Sequence, residues 1–379
     1  MTLQKDIEKI LSLYKDGEVL KASQMGKRFY KELPRKVRKV VEVANFFAGV
    51  IFSGEIENVI DYTSHLDVVL SKVFFLEGNF EKYRSTVYKV LQNAQDPLAK
   101  LYCLKEIKMF DGKGFADLYQ SYSNTEVVSK RTEYLKRFLE NDFRKAVMDI
   151  SDFLAQKLHP EVLLDLADIW YYTEQYKELS ELCLSIYREG KISDYFLYLY
   201  SYSLFSSGKI PDAIAVLEKL AKKYSKNINI VYNLAVCYFR NGDLTKAVEL
   251  IDLCGNMPYY PEISFTKGVI LYRLGRYEDS KKEFSKVENC EEFKFASKYN
   301  MSLCDYRIGN YEEAIKRLIS LRNESFVDRK NFEAIDRTVW FIKKASRKIP
   351  YVLIFLFSLI LPSTVGLVIY LILTYLGIR

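Results

Sequence analysis

Chemistry at a side chain needs a nucleophile, a titratable group or a metal ligand in suitable company, and this 379-residue sequence offers few of them. Its two histidines, His65 and His159, have no second histidine or cysteine at a ligand spacing, so neither starts a metal set. Cys103, Cys183, Cys237, Cys254, Cys290 and Cys304 are scattered without a Cys-x-x-Cys pair, and several fall on apolar helix faces. They read as small buried hydrophobes rather than as disulfide partners or zinc ligands. Gly190-Lys191-Ile192-Ser193 resembles the end of a phosphate loop, but Ser185 stands where the first glycine belongs and no strand precedes it. Asp165 and Asp168 lie three apart on a helix, the spacing of many solvated carboxylates, with no Gly-x-Ser-x-Gly elbow beside them. The expectation is a chain with no catalytic residue, no cofactor and no metal.

With little chemistry to position, the elements themselves become the signal. In the stretch VYNLAVCYFRNGDLTKAVELI, Gly242 is preceded by Ala235 and Tyr238 and followed by Ala247. Gly275 stands in the same company with Gly268, Leu271 and Ser280, Gly309 with Ser302 and Ala314, and Gly208 with Ser201, Leu204 and Ala213. Glu174, with Ala167, Trp170 and Leu179, and Asn141, with Ala146, extend the series upstream. The marks 141, 174, 208, 242, 275 and 309 are 33, 34, 34, 33 and 34 residues apart, an internal repeat of about 34. Apolar residues fall three or four apart on both sides of each mark, so each unit reads as two short amphipathic helices. Small residues sit where those helices must cross closely.

The units resemble tetratricopeptide repeats. They are small at the eighth position (Ala167, Ser201, Ala235, Gly268, Ser302), bulky at the eleventh, Gly-x-Tyr or similar at the turn, and small again at the twentieth (Ala213, Ala247, Ser280, Ala314). The pattern runs clearly from Leu158 to Leu321; Asn141, Lys113-Gly114-Phe115, Gly78-Asn79-Phe80 and Gly17-Glu18-Val19 mark degenerate units before it. Most units lack the Trp and the closing Pro of the family. The resemblance implies an all-α, right-handed superhelical solenoid, because a two-helix unit cannot bury its own apolar face and must stack on neighbours. The expected organisation is degenerate repeats over 1–127, well-patterned repeats over 128–325, a capping and juxtamembrane basic helix over 326–349, and a transmembrane segment over 350–378.

That last segment is the second strong signal: Tyr351 to Ile378 is 28 residues without a charge. At ~1.5 Å per residue it exceeds the ~30 Å hydrocarbon core, enough for one tilted or kinked span. Pro362, Ser363 and Gly366 interrupt it, so a re-entrant hairpin is the rival, but each half would reach only roughly 17 Å. The length requirement favours the single span. Lys343, Lys344, Arg347 and Lys348 precede it and only Arg379 follows, which predicts a tail-anchored, single-pass topology with the solenoid in the cytoplasm and the short tail outside. Residues 340–379 hold five basic and no acidic side chains, so of the net charge of +7 only +2 remains for the other 339. The basic balance therefore reads as topology, with snorkelling or contact with anionic headgroups at the flank, and no basic run points to nucleic acid. The opening MTLQKDIEKILSLY carries charges at helical spacing and reads as the start of a first repeat rather than a secretory signal.

Surface recognition is what remains. In the resembled family the first helix of each unit lines a concave groove that holds peptides or partner helices. The positions carried over are Tyr195, Tyr198, Tyr202, Phe205, Tyr232 and Phe239, with Arg240, Arg273 and Arg307 each two residues before a turn glycine. Arginine and tyrosine suit an acidic or aromatic peptide; the alternative is that the arginines cap helix C-termini and the tyrosines pack between units. The family's Lys and Asn carboxylate clamp would fall on Tyr232, Val236, Thr266, Ala296 and Asn300, and only one of the five is compatible. The expected function is a noncatalytic membrane-anchored scaffold for protein or peptide partners, with no small-molecule substrate. The alternative is a regulator or biogenesis factor of a membrane complex acting through its transmembrane segment.

Overall fold

The computed structural model describes residues 2–49, 56–156, 159–188, 193–255 and 260–346, and every regular element among them is helical. The chain divides into two compact units, Met1–Asn241 and Gly242–Arg379. The first contains α1 (Thr2–Lys15), α2 (Val19–Phe29), α3 (Arg35–Phe47), α4 (His65–Leu76), α5 (Phe80–Asn93), α6 (Pro97–Phe110) and α7 (Gly112–Tyr122). It continues with α8 (Lys130–Leu139), α9 (Phe143–Gln156), α10 (Pro160–Tyr172), α11 (Tyr176–Arg188), α12 (Asp194–Ser206), α13 (Ile210–Lys223) and α14 (Ile228–Asn241). The second holds α15 (Leu244–Leu253), α16 (Pro261–Arg273), α17 (Tyr277–Ser285), α18 (Lys294–Ile308), α19 (Tyr311–Arg322) and α20 (Arg329–Ser346).

Each of the six evenly spaced repeat marks is a helix end with a left-handed backbone. The φ values are 65° at Asn141, 59° at Glu174, 76° at Gly208, 89° at Gly242, 77° at Gly275 and 97° at Gly309. The next amide then reaches back over the last helical turn: Lys209 donates to the Leu204 carbonyl at 2.9 Å, Gln175 to Trp170 at 2.8 Å and Arg276 to Leu271 at 2.9 Å. This satisfies carbonyls that the helix leaves open and reverses the chain in a few residues. Gly17 and Gly78 make the same turn. The mark at Gly114 does not. Asp111 ends α6 and caps α7, accepting the Gly114 amide at 2.9 Å, so the reversal lies three residues earlier than the spacing predicts.

The small positions are close helix crossings. A Cβ on Gly268 would lie 2.7 Å from the Phe284 ring, and the Ser280 hydroxyl donates to the Gly268 carbonyl at 2.7 Å, so α16 and α17 nearly touch backbone to backbone. Ala235, Ala247 and Ala314 are fully buried for the same reason. In the second unit, Ile335 and Ile342 of α20 close the stack over Ala314, Leu318 and Leu321.

The first unit departs from a simple open stack, because α4 packs on α12 as well as on α5 and α6. Asn227 joins the two parts. Its side chain donates to the carbonyls of Phe75 at 2.7 Å and Leu76 at 3.0 Å, at the end of α4, while its own oxygen accepts the Ile230 amide and caps α14. Five of the six cysteines are buried and all are free. No helix among the described residues is long and apolar enough to cross a membrane. The expected span at 351–378, its flanking Arg347 and Lys348, and Gly190 to Ile192 of the phosphate-loop resemblance lie outside the described residues.

Candidate functional site

The carboxylates Asp165 and Asp168, expected to be solvated, are instead completely buried. Lys105 from α6 donates to both, at 2.8 Å each. Lys72 from α4 lies 2.9 Å from Glu106 and 3.2 Å from Asp168, and it donates to the Tyr195 hydroxyl at 3.2 Å. Tyr195 in turn donates to Asp168 at 3.0 Å, Tyr83 to Glu106 at 2.5 Å, and Tyr102 and Tyr134 to Asp165 at 2.5 and 2.6 Å. Beside them Arg131 reaches Tyr102 at 2.6 Å and Glu161 at 2.7 Å, His65 Nε2 stands 3.0 Å from Glu161, and Tyr14 of α1 donates to the same carboxylate. Seven helices from α1 to α12 thus meet in one polar core, through contacts between residues as far as 147 apart.

Opposite charges offset the burial of Lys105, Glu161 and Asp168. Burial works against the charge on Lys105, but Asp165, Asp168 and Glu106 outweigh it and keep its pKa well above the ordinary lysine value. Burial likewise opposes ionisation of Glu161, and Arg131 with His65 overcomes it and holds the carboxyl well below its usual range. Asp168 is lowered in the same manner by Lys105 and Lys72 against its burial. Burial first, then the neighbouring carboxylates, push the phenols of Tyr14, Tyr83, Tyr134 and Tyr195 well up, so they stay protonated donors. A cluster of buried titratable groups of this size would ordinarily point to a reaction centre. Here the charged ends of Lys72, Lys105, Glu106, Asp165, Asp168 and Glu161 are at most 2% exposed and already engaged, so a substrate has no face to approach. The network is an internal lock between the N-terminal helices and α10 and α12.

The expected groove residues separate into two groups. Tyr195 and Tyr198 are each 6% exposed: Tyr195 belongs to the lock, and Tyr198 packs against Phe75 of α4 with its phenol pushed up to about 12 by burial. The space a groove would offer there is filled by the chain's own α4. Tyr202 and Tyr232 stay half-buried further along. A small open cleft lies between α12, α13 and α14, lined by Ser201, Tyr202, Phe205, Leu217, Asn233 and Val236.

The arginines follow a rule that the repeat spacing hinted at but did not explain. At three places the residue two before a turn mark lies over the aromatic three before the preceding mark. Arg240 stands 5.7 Å from the Phe205 ring; Arg307 stands 5.9 Å from Tyr272 and donates to its hydroxyl at 3.1 Å. Tyr172 takes the same place over Phe138 at 5.3 Å. Arg240, Arg273 and Arg307 are all exposed, so stacking Arg240 and Arg307 on the neighbouring unit leaves one guanidinium face of each open. Lys343 and Lys344 are exposed on α20.

Comparison with known proteins agrees with this geometry. Residues 204–254 match the tetratricopeptide repeat family model. Two curated proteins described as intraflagellar transport protein 70A, from Xenopus tropicalis and Xenopus laevis, are each 24% identical, over 195 and 191 residues. The aligned parts cover 49% and 48% of this chain and 28% of each relative, so the chain spans little more than a quarter of their length. Among solved structures, a chain of the APC/C hetero-tetramer Cut9-Hcn1 superposes with a TM-score of 0.59 at 11% identity, over 86% of this chain and 71% of that one. At that identity the likeness is one of fold. Residues 204–254 thus carry the tetratricopeptide repeat, and the described helices around them share the all-helical repeat fold.

Proposed function

We propose that the chain is a noncatalytic scaffold that holds a partner protein in the cleft between α12 and α14 and is anchored to a membrane by residues 351–378, with its repeats on the cytoplasmic side. The observation that carries the binding half is the cleft itself. It presents Tyr202 and Phe205 with Asn233 at the wall, and Arg240 lies over the Phe205 ring at its rim. An aromatic or aliphatic side chain fits that lining, and a carboxylate beside it would meet the open guanidinium face. The anchoring half is supported by the length of the uncharged segment and the basic residues before it. Localisation then raises the effective concentration of a partner at the same membrane, which lets a modest groove affinity suffice.

A peptide-display selection against the full chain tests the binding half. Enriched sequences should pair an aromatic or large aliphatic residue with Asp or Glu, and Arg240→Gln and Phe205→Ala should each weaken the selected peptides by about tenfold, as expected for loss of one anchor residue. Selection of peptides indifferent to both changes would place recognition elsewhere. A chain cut before Pro350 should lose any membrane association that resists alkaline carbonate; if it keeps it, the anchor reading fails.

A further inference from the structure

Among the described residues of the second unit, α20 carries the two most exposed aromatic side chains, Trp340 and Phe341. Ile335 and Ile342 point into the stack and Tyr299 bonds Thr338 at 2.7 Å, which fixes the helix's rotation. Lys330, Glu333, Arg337, Trp340, Phe341 and Lys344 therefore share the opposite side, three or four residues apart. Trp340 is 63% exposed and Phe341 54%, although Phe341 still touches the Tyr306 ring at 5.9 Å. The Lys344 ammonium lies 5.1 Å over Trp340. Glu333 is near Arg329 at 3.6 Å, and Lys330, Arg337, Lys343 and Lys344 have no acidic partner among the described residues. The face thus combines a tryptophan, a phenylalanine and a surplus of positive charge, and the uncharged run begins at Tyr351, five residues beyond the end of α20.

We propose that this face lies on the anionic headgroup layer of the membrane, so that Trp340 and Phe341 enter the interface while Arg337, Lys343 and Lys344 meet lipid phosphates. The proposal rests on the anchoring reading above and adds an orientation to it: the second unit is held against the bilayer rather than swinging from a tether. Indole rings prefer the headgroup level, and basic helix faces gain about 1 kcal/mol per Lys or Arg near an anionic surface. A protein partner would have to match the same surplus of charge and would leave the adjoining uncharged segment unexplained.

The test uses the full chain reconstituted into vesicles of phosphatidylcholine and phosphatidylserine brominated near the headgroup. The chain has two tryptophans, so subtracting the emission of the Trp340→Phe variant isolates Trp340. The expected result is that Trp340 is quenched by brominated lipid and shielded from aqueous iodide, and that Arg337→Gln, Lys343→Gln and Lys344→Gln lower the lipid-contacting population roughly fivefold per charge. If the protein resists alkaline carbonate yet Trp340 is quenched by iodide alone, the anchor stands and this proposal falls, leaving the face to a protein partner. If carbonate releases the protein but Trp340 is still quenched by lipid at neutral pH, the face binds membrane by itself and the anchor reading falls. Loss of both signals overturns both.

Discussion

Lys105 has no water to turn to if its partners are lost. Its side chain is fully buried between Asp165 and Asp168, and two charges at such distances are stable only as a compensated set. Changing Lys105→Met should therefore cost about 3–5 kcal/mol, because it leaves Asp165 with only the Tyr102 and Tyr134 hydroxyls and Asp168 with Lys72 as its remaining cation. Adding Asp165→Asn should recover part of that loss, measured by urea unfolding followed through helix content. The network also sets an acid limit. Glu161 and Asp168 have folded pKa values below their ordinary 4.5 and 3.8, so the unfolded chain binds their protons first as pH falls. Their contribution is fully present above about pH 5 and is lost below it as pH falls toward the folded values. The urea midpoint should drop steeply below that point, and replacing Glu161 with Gln should flatten the drop. Asp165 and Asp168 show where sequence reading misjudged: their three-residue spacing is that of surface carboxylates. A better signal was their setting in VLLDLADIW, where charges interrupt an apolar run, as Lys72 does in VVLSKVFFL.

Elements were far more legible than the lock between them. The 34-residue period located six helix ends that all adopt left-handed backbone, including the non-glycine Asn141 and Glu174, because a hairpin of packed helices must reverse at a constant length to keep its neighbours in register. The small positions were equally readable, and they make a sharp prediction. Gly268→Ala puts a methyl group 2.7 Å from the Phe284 ring and should destabilise the second unit by about 1–3 kcal/mol, with partial rescue by Phe284→Leu. A thermal melt of the two variants decides it. Gly114 failed as a mark because Asp111 already supplies a cap, and a good N-cap starts a helix wherever it stands.

At the scale of the whole chain, closure of the first unit depends on a few long-range bonds. Asn227 donates to the last two carbonyls of α4 and caps the first turn of α14, and the Phe75 carbonyl also accepts the Gly78 amide at 3.1 Å. Asn227→Ala should cost about 1–3 kcal/mol, because the Leu76 carbonyl would lose its side-chain donor and α14 its cap, and it should raise amide exchange in α4 before α8 to α11. Uniform exchange across the unit would mean that the Lys72 and Lys105 network holds α4 without Asn227. Gly78 belongs to the same junction, since a Cβ there would lie 2.7 Å from the Lys226 carbonyl.

By itself the sequence determined the helical hairpins, their period, their turn conformations and their close crossings. All of these follow from spacings within about 34 residues, where chain geometry ties position to face. Tertiary structure alone decided that α4 occupies α12, that Tyr195 is a lock residue while Tyr202 stays at an open cleft, and that Arg240 stacks on Phe205. Tyr195 and Tyr202 stand seven residues apart on one helix, two turns along the same face, and nothing local distinguishes them. What separates them is a helix that arrives from more than a hundred residues away, and a contact of that separation leaves no period in the sequence to read.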